Sequence, residues 1–118
     1  MDKQEKGKHG EMIAIDHIQR SGLTVVESNY YTRFGEIDVI AKCGEVYHFV
    51  EVKTRLADQY GTAIESLTRN KINSFVKTVQ SYVKRNNLQT VELSLDLIAI
   101  DISNDGTIDI EWIKNITM

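Results

Sequence analysis

The sequence predicts a mixed α+β fold in the order α-β-β-β-α-β-β, with a central mixed sheet flanked by helices. Two helical stripes and two hairpin patterns support this prediction. Apolar side chains recur at helical spacing after Glu11 and again from Ile72 to Val83. Residues 36–53 and 91–113 instead alternate, as strands do, around short polar turns. The 118 residues predict one small domain, 1–118, that is large enough to bury its own core.

The first two elements follow from local composition. Residues 1–9 are polar and charged, and we expect a flexible tail there. The apolar stripe that starts at Glu11 predicts a helix ending near Ser21 and Gly22. Residues 23–31, which read LTVVESNYY, are rich in β-branched and aromatic side chains and predict the first strand.

A hairpin is predicted for residues 36–41 and 46–53, on either side of the polar break KCGE. Period-2 alternation places one mixed set of residues on a single face: Tyr47, Phe49, Glu51, Lys53 and Arg55. If the loop has two or four residues, we expect Ala41 to pair with Val46, whereas a three-residue loop would break this register. In that register Asp38 lies opposite Phe49 and diagonal to Glu51, and Glu36 lies directly opposite Glu51.

Three carboxylates on one face of this hairpin predict a cation site. Like charges that face each other destabilise a sheet unless a cation lies between them, and Glu36, Asp38 and Glu51 are placed in this way. Carboxylate oxygens suit Mg²⁺ or Mn²⁺, which also accept phosphate oxygens and water. Two alternatives remain open: a solvated charged face, and a neutralised ion cluster that includes Lys53 and binds no metal.

The same residues resemble a known family. Residues 35–41 read GEIDVIA and residues 49–55 read FVEVKTR, which resembles the signature of the bacterial YraN family. That family is similar to archaeal Holliday-junction resolvases and belongs to the restriction-endonuclease-like, or PD-(D/E)xK, superfamily. The resemblance extends from Lys6 to Asp96. Ile37 stands where the superfamily motif has proline, a departure also found among resolvase-like branches.

The resemblance implies a restriction-endonuclease-like core and a metal-dependent DNA endonuclease that hydrolyses phosphodiester bonds. Asp38 and Glu51 would bind Mg²⁺ or Mn²⁺, with Glu36 as a further ligand or a supporting acid. Lys53 would position the attacking water and offset phosphate charge. Glu11 would assist from the first helix, although an acid at this position also simply favours the helix N-terminus. Branched DNA as substrate is implied only by the likeness to resolvases.

Basic residues beside this hairpin predict a surface that binds the nucleic-acid backbone. Its members are Arg55, Arg69, Lys71, Arg33 and Lys6. A solvated tail is the competing interpretation for Lys6. Tyr30 and Tyr31 cluster with Arg33, and the competing interpretation for these tyrosines is packing at the sheet edge. A non-catalytic module that keeps the fold and binds nucleic acid or protein is the alternative to an enzyme.

The second half of the chain predicts a loop at residues 56–61, one helical turn at most at 61–67, and a long helix. Thr68 is the expected N-cap, and Asn86 and Asn87 end the helix near Arg85. Residues 91–102 and 108–113 predict two strands joined by the turn NDGT. Asp96 is either a second acid at the site or, as we favour, a structural carboxylate with a partner.

Charge and cysteine content set broader limits. The net charge is −3, yet residues 1–85 hold 13 of the 14 Lys and Arg side chains. The cationic part of the chain is therefore the part with the candidate site. A single cysteine, Cys43, and the lack of an apolar signal segment or a membrane-spanning run predict a cytoplasmic protein. Symmetric cutting of two strands would need two copies, so we expect a homodimer.

Overall fold

The computed structural model describes residues 2–56 and 61–117. The described elements follow the predicted order. Helix α1 is Lys3–Arg20, strands β1, β2 and β3 are Thr24–Thr32, Gly35–Cys43 and Val46–Leu56, helix α2 is Arg69–Arg85, and strands β4 and β5 are Leu93–Ile102 and Ile108–Ile113. A single 3-10 turn at Ile64–Ser66 precedes α2. Most of the predicted loop at residues 56–61 lies outside the described residues.

The five strands form one mixed sheet in the order β1-β2-β3-β4-β5. Strands β3 and β4 are parallel and the other neighbours are antiparallel. Parallel neighbours need a long crossover, which here contains α2. The crossover places β3 at the centre of the sheet, so the acid and lysine of residues 51–53 lie on a strand with neighbours on both sides.

The two helices cover opposite faces of the sheet. Helix α1 packs on an aliphatic cluster that includes Val39, Val50 and Ile98. Helix α2 packs on a cluster in which aromatic rings predominate: Tyr30, Phe49, Phe75 and Tyr82. Adjacent residues of β3, Phe49 and Val50, thus face different helices, which confirms the predicted alternation along this strand.

Helix α1 begins at Lys3 rather than near Glu11. The reason is an N-cap that the apolar periodicity does not reveal, because the backbone N–H of Glu5 donates to the Asp2 carboxylate at 2.8 Å. Residues 3–9 are therefore helical, and the flexibility expected of this segment stays a prediction. At the other end, Thr68 caps α2 as predicted, accepting from the Lys71 N–H at 3.2 Å.

The predicted hairpin register is wrong by two residues. Ala41 pairs with His48, not with Val46, because the connection is a two-residue turn and Cys43 pairs with Val46. The hydrogen-bonded pairs of β2 and β3 run only as far as Val39 and Val50. Asp38 is accordingly not opposite Phe49, and Glu36 is not paired with Glu51.

Close contact between α1 and β3 depends on Gly10. This glycine is buried, and a Cβ atom built on it would lie 1.7 Å from Oγ1 of Thr54. A larger residue fits only if Thr54 or the helix itself shifts. The absent side chain at Gly10 thus allows the next residue, Glu11, to approach the sheet.

Within residues 2–56 and 61–117, neither helix has the length and apolar character needed to cross a bilayer.

Candidate functional site

Asp38 lies where the β2–β3 ladder ends. The backbone N–H of Val52 donates to Oδ2 of Asp38 at 2.8 Å, so the side chain takes over from the backbone in joining the two strands. Both Asp38 and Glu51 are only partly exposed. The carboxylate of Asp38 is therefore held against β3 at Val52, the residue that follows Glu51. The two acids are close in this way although the predicted register was wrong.

Glu36 is the common neighbour of the other acids. Its negative charge raises the pKa of Glu11, of Asp38 and of Glu51, so each of these three carboxylates lies within electrostatic reach of Glu36. Glu11 reaches this group from α1, where the nearby Asn29 side chain lowers its pKa against the raising effect of burial. The structure therefore brings together the four acids that the sequence singled out.

These carboxylates are poorly compensated. Burial is the main cause that raises the pKa of Asp38 to about 7, and the charges of Glu36 and Glu11 add to it against the lowering effect of the Val52 hydrogen bond. Burial likewise raises the pKa of Glu51 to about 8, followed by repulsion from Asp38 and Glu36. Lys71 and Lys53 only partly offset this rise. Near neutral pH these raised pKa values favour protonated carboxylates, and a cation beside the acids would relieve the same repulsion.

An open cleft of about 370 Å³ lies beside the acids. The strands contribute Glu36, Glu51 and Lys53, while α2 contributes Asn70 and Lys71 among others. Burial lowers the pKa of Lys53, and the nearby charge of Lys71 lowers it further. Two repelling ammonium groups in one cleft favour a bound anion, just as the repelling carboxylates favour a bound cation.

The remaining predicted basic residues differ in their surroundings. Lys6 and Arg55 lie close enough to Lys53 for their charges to lower its pKa. Arg55 is buried, donates to the carbonyl oxygen of Gly61 and lies 3.9 Å from Asp101. Arg69 is exposed at the start of α2, and Arg33 is exposed in the β1–β2 turn. Of this set, Lys71 lines the cleft with Lys53.

The donor set suits a hard divalent ion in its chemistry. Carboxylate oxygens are the ligands that Mg²⁺ and Mn²⁺ prefer, and Mg²⁺ commonly takes only one or two of them together with water and phosphate. Within the described parts of the chain, no three His, Cys, Asp or Glu side chains are already gathered in a geometry that would hold a metal ion. The residues best able to supply ligands are Asp38 and Glu51, with Glu36 beside them.

Asp96 belongs to a different part of the protein. It is fully buried and accepts hydrogen bonds from the His48 ring (2.7 Å), the Ser94 hydroxyl (2.6 Å), the Trp112 indole (2.9 Å) and the Asn115 backbone (3.2 Å). Its neighbours Ile98 and Ile100 pack in the α1 cluster. Asp96 is therefore a structural carboxylate, as favoured from the sequence.

Two residues near the acids were not assigned to the site from sequence. Asn29 has a left-handed backbone, with φ of 55°, between the ladder pairs Ser28–Val39 and Tyr30–Ile37. Its side chain lowers the pKa of Glu11. Tyr31 lies opposite Glu36 in the same ladder, and the Glu36 charge raises the pKa of Tyr31. Asn tolerates positive φ better than most residues, but nothing in the local sequence marks this position.

Comparison with known proteins agrees with the resemblance noted in the strand motifs. The family described as "Uncharacterised protein family UPF0102" matches residues 10–100. A UPF0102 protein of Sulfurihydrogenibium sp. is 40% identical over 100 residues, covering 85% of this chain and 87% of the relative. One from Vibrio parahaemolyticus is 39% identical over 114 residues, covering 96% and 92%. One from Desulfitobacterium hafniense is 40% identical over 117 residues, covering 97% of both chains. The chain therefore belongs to the UPF0102 family, which is the YraN family that its motifs resemble.

Proposed function

We propose that this protein is a metal-dependent nuclease with a restriction-endonuclease-like core, acting on DNA. One observation supports the proposal most: repelling carboxylates and repelling ammonium groups share one cleft. Glu36 and Glu51 line it with Lys53 and Lys71, and Asp38 lies beside them. A divalent cation and a phosphate group together would neutralise both sets of charges.

Each residue of the cleft has a role in this proposal. Asp38 and Glu51 bind Mg²⁺ or Mn²⁺, and Glu36 adds a ligand or supports the other two. The metal, when bound, stabilises negative charge on the phosphate and lowers the pKa of a bound water. Lys53 positions the attacking water and offsets charge at phosphorus as one P–O bond of the strand is hydrolysed.

Glu11 and Lys71 act from the two helices. Glu11, whose pKa responds to the charge of Glu36, supports the acid group from α1. Lys71 lies across the cleft and binds the phosphate next to the one being cut. Arg69, Lys6 and Arg33 extend contact to the backbone beyond the cleft, while buried Arg55 adds positive charge close to Lys53. A homodimer would bring two such clefts to two strands. Branched DNA as the substrate is suggested only by the likeness to resolvases.

A binding module without turnover is the second candidate. The observation that favours it is the composition of α2, which has five Lys or Arg residues and no acid in 17 residues. Such a helix binds nucleic acid whether or not a strand is cut. The two candidates therefore differ in whether the activity on DNA depends on Asp38. They do not differ in the expected affinity of the protein for DNA.

Cleavage of a DNA panel tests the proposal. Single-stranded, duplex, flapped and four-way DNA are incubated with the protein and Mg²⁺ or Mn²⁺, alongside Asp38→Asn and Lys53→Ala. We expect each variant to lose at least about 100-fold in rate, as is typical when one charge-stabilising group is removed. Asp109→Asn, an exposed acid on β5, is the matched control and should cut normally. Absence of cleavage by the wild type, or equal rates in all variants, would favour the binding module.

A further inference from the structure

Helix α2 carries an exposed stripe that begins at the cleft. Asn70 lines the cleft, and from there exposed residues recur at intervals of three and four: Asn70, Asn73, Lys77, Gln80 and Lys84. Every member is a cation or a neutral amide. The fifteen residues from Asn70 to Lys84 span about 21 Å of helix, so the stripe extends well beyond the cleft.

An ordinary solvated helix face has a different composition. Exposed helices usually mix both signs, because pairs of opposite charge three or four residues apart stabilise them. Helix α2 has no acid with which to form such pairs. No acid of the helix therefore offsets the charges of Lys77 and Lys84, and a polyanion lying along the stripe would do so.

Phe34 lies beside the middle of this stripe. Phe34 is 39% exposed, and the Lys77 ammonium lies 5.6 Å from the centre of its ring. The Arg33 guanidinium lies 4.9 Å from the same centre. A shallow, open pocket with a volume of about 460 Å³ is lined by this ring together with Lys77 and Lys84, among others. An exposed aromatic ring among flexible cations is the arrangement on which unpaired bases stack.

The turn that carries Phe34 is held in place. The Thr32 hydroxyl accepts from the Phe34 backbone N–H at 3.1 Å and lies 3.3 Å from the hydroxyl of Thr78 on α2. The ring therefore keeps a defined position against the helix. Arg33 and Lys77 are both exposed and can move from the ring to a phosphate when a base arrives.

We propose that this surface binds a single strand of nucleic acid, with its phosphates along the α2 stripe and one unpaired base stacked on Phe34. The inference rests on the proposed function in one respect, since the cleft is where the same strand would be cut. It specifies the substrate class as nucleic acid with an unpaired segment next to the scissile phosphate. Stacking makes this contact tolerant of base sequence.

Binding measured without cleavage tests the inference. The probe is a fluorescein-labelled 20-nucleotide oligothymidine, followed by anisotropy in EDTA over a range of salt concentrations. We expect Phe34→Leu to weaken binding about tenfold and to leave the salt dependence unchanged. Lys77→Gln with Lys84→Gln should instead lower the slope of log K against log salt by about 1.4, the value for two phosphate contacts on a single strand.

A double variant on α1 separates this surface from charge in general. Lys3→Gln with Lys8→Gln removes the same charge from exposed positions of the other helix and should bind as the wild type does. Equal binding by Phe34→Leu, equal loss in the α1 control, or tighter binding of blunt duplex than of the oligothymidine would overturn the inference. Since EDTA removes any metal, these results do not depend on whether the protein cleaves DNA.

Discussion

The acids on this sheet occupy two different surroundings, which differ in how completely the protein compensates the carboxylate charge. Asp96 on β4 is fully buried, and four donors surround its two oxygens. Asp38 and Glu51 lie where β2 and β3 separate. There, Asp38 receives one backbone hydrogen bond, while Glu51 has lysines as its compensating neighbours.

This difference separates a structural carboxylate from a candidate ligand. A buried charge that the protein itself satisfies has no capacity left for an external cation. A partly buried pair that repels, at the edge of an open cleft, has that capacity. The comparison predicts that neutralising the two groups changes stability in opposite directions.

Asp96→Asn should cause the largest loss of stability. The amide group of Asn presents N–H donors toward donors such as the Trp112 indole and the Ser94 hydroxyl, so a satisfied network becomes a conflicting one. We expect a loss of about 3 kcal/mol or more in the free energy of unfolding, measured by urea denaturation. A loss below about 1 kcal/mol would mean that Asp96 is not the structural group described.

Gly10→Ala should cost about 1–3 kcal/mol, because its methyl group would overlap Thr54. It should also reduce cleavage, since Glu11 would move away from the acids together with α1. Gly7→Ala is the matched control on the same helix, where no atom lies within 4 Å of an added Cβ. That change should stabilise the protein by about 0.5–1 kcal/mol, as Ala does in helix interiors. Thermal unfolding of both variants makes the measurement, and equal shifts would contradict the close contact.

Asp38→Asn should stabilise the metal-free protein at pH 8, by on the order of 1–2 kcal/mol. Because the folded pKa values of Asp38 and Glu51 are raised, their favourable contribution is complete below the unfolded values near 4 and is lost as the pH rises through about 7 to 8. The wild type should lose stability over this interval, and Asp38→Asn should lose less. Thermal melts in EDTA from pH 5 to pH 9, with Asp109→Asn as control, test this. A variant less stable than wild type at pH 8 would contradict the account.

The sequence predicted the elements well because their signals are local. Helical stripes, the Thr68 cap and the turn at residues 104–107 each depend on a few neighbouring residues, and the described structure confirms them. The grouping of Glu36, Asp38, Glu51 and Lys53 was also predicted, since alternation along β3 places Glu51 and Lys53 on one face. The N-cap at Asp2 was missed because it precedes the apolar stripe.

Contacts between distant segments were not predictable in the same way. The register of β2 and β3 depends on whether Lys42 and Cys43 join the strand or the turn, and a two-residue turn shifted every pair. The role of Asn29 depends on its left-handed backbone opposite Asp38. The partners of Asp96 come from three strands and the segment after β5, so only the packed sheet reveals them.

Titration with Mn²⁺ at pH 8 tests the central claim most directly. The electron paramagnetic resonance signal of free Mn²⁺ reports how much of the ion is bound by wild type, by Asp38→Asn and by the control Asp109→Asn. The account predicts saturable binding that Asp38→Asn abolishes and the control retains. Absence of binding by the wild type, or equal binding by Asp38→Asn, would show that these acids are not a metal site.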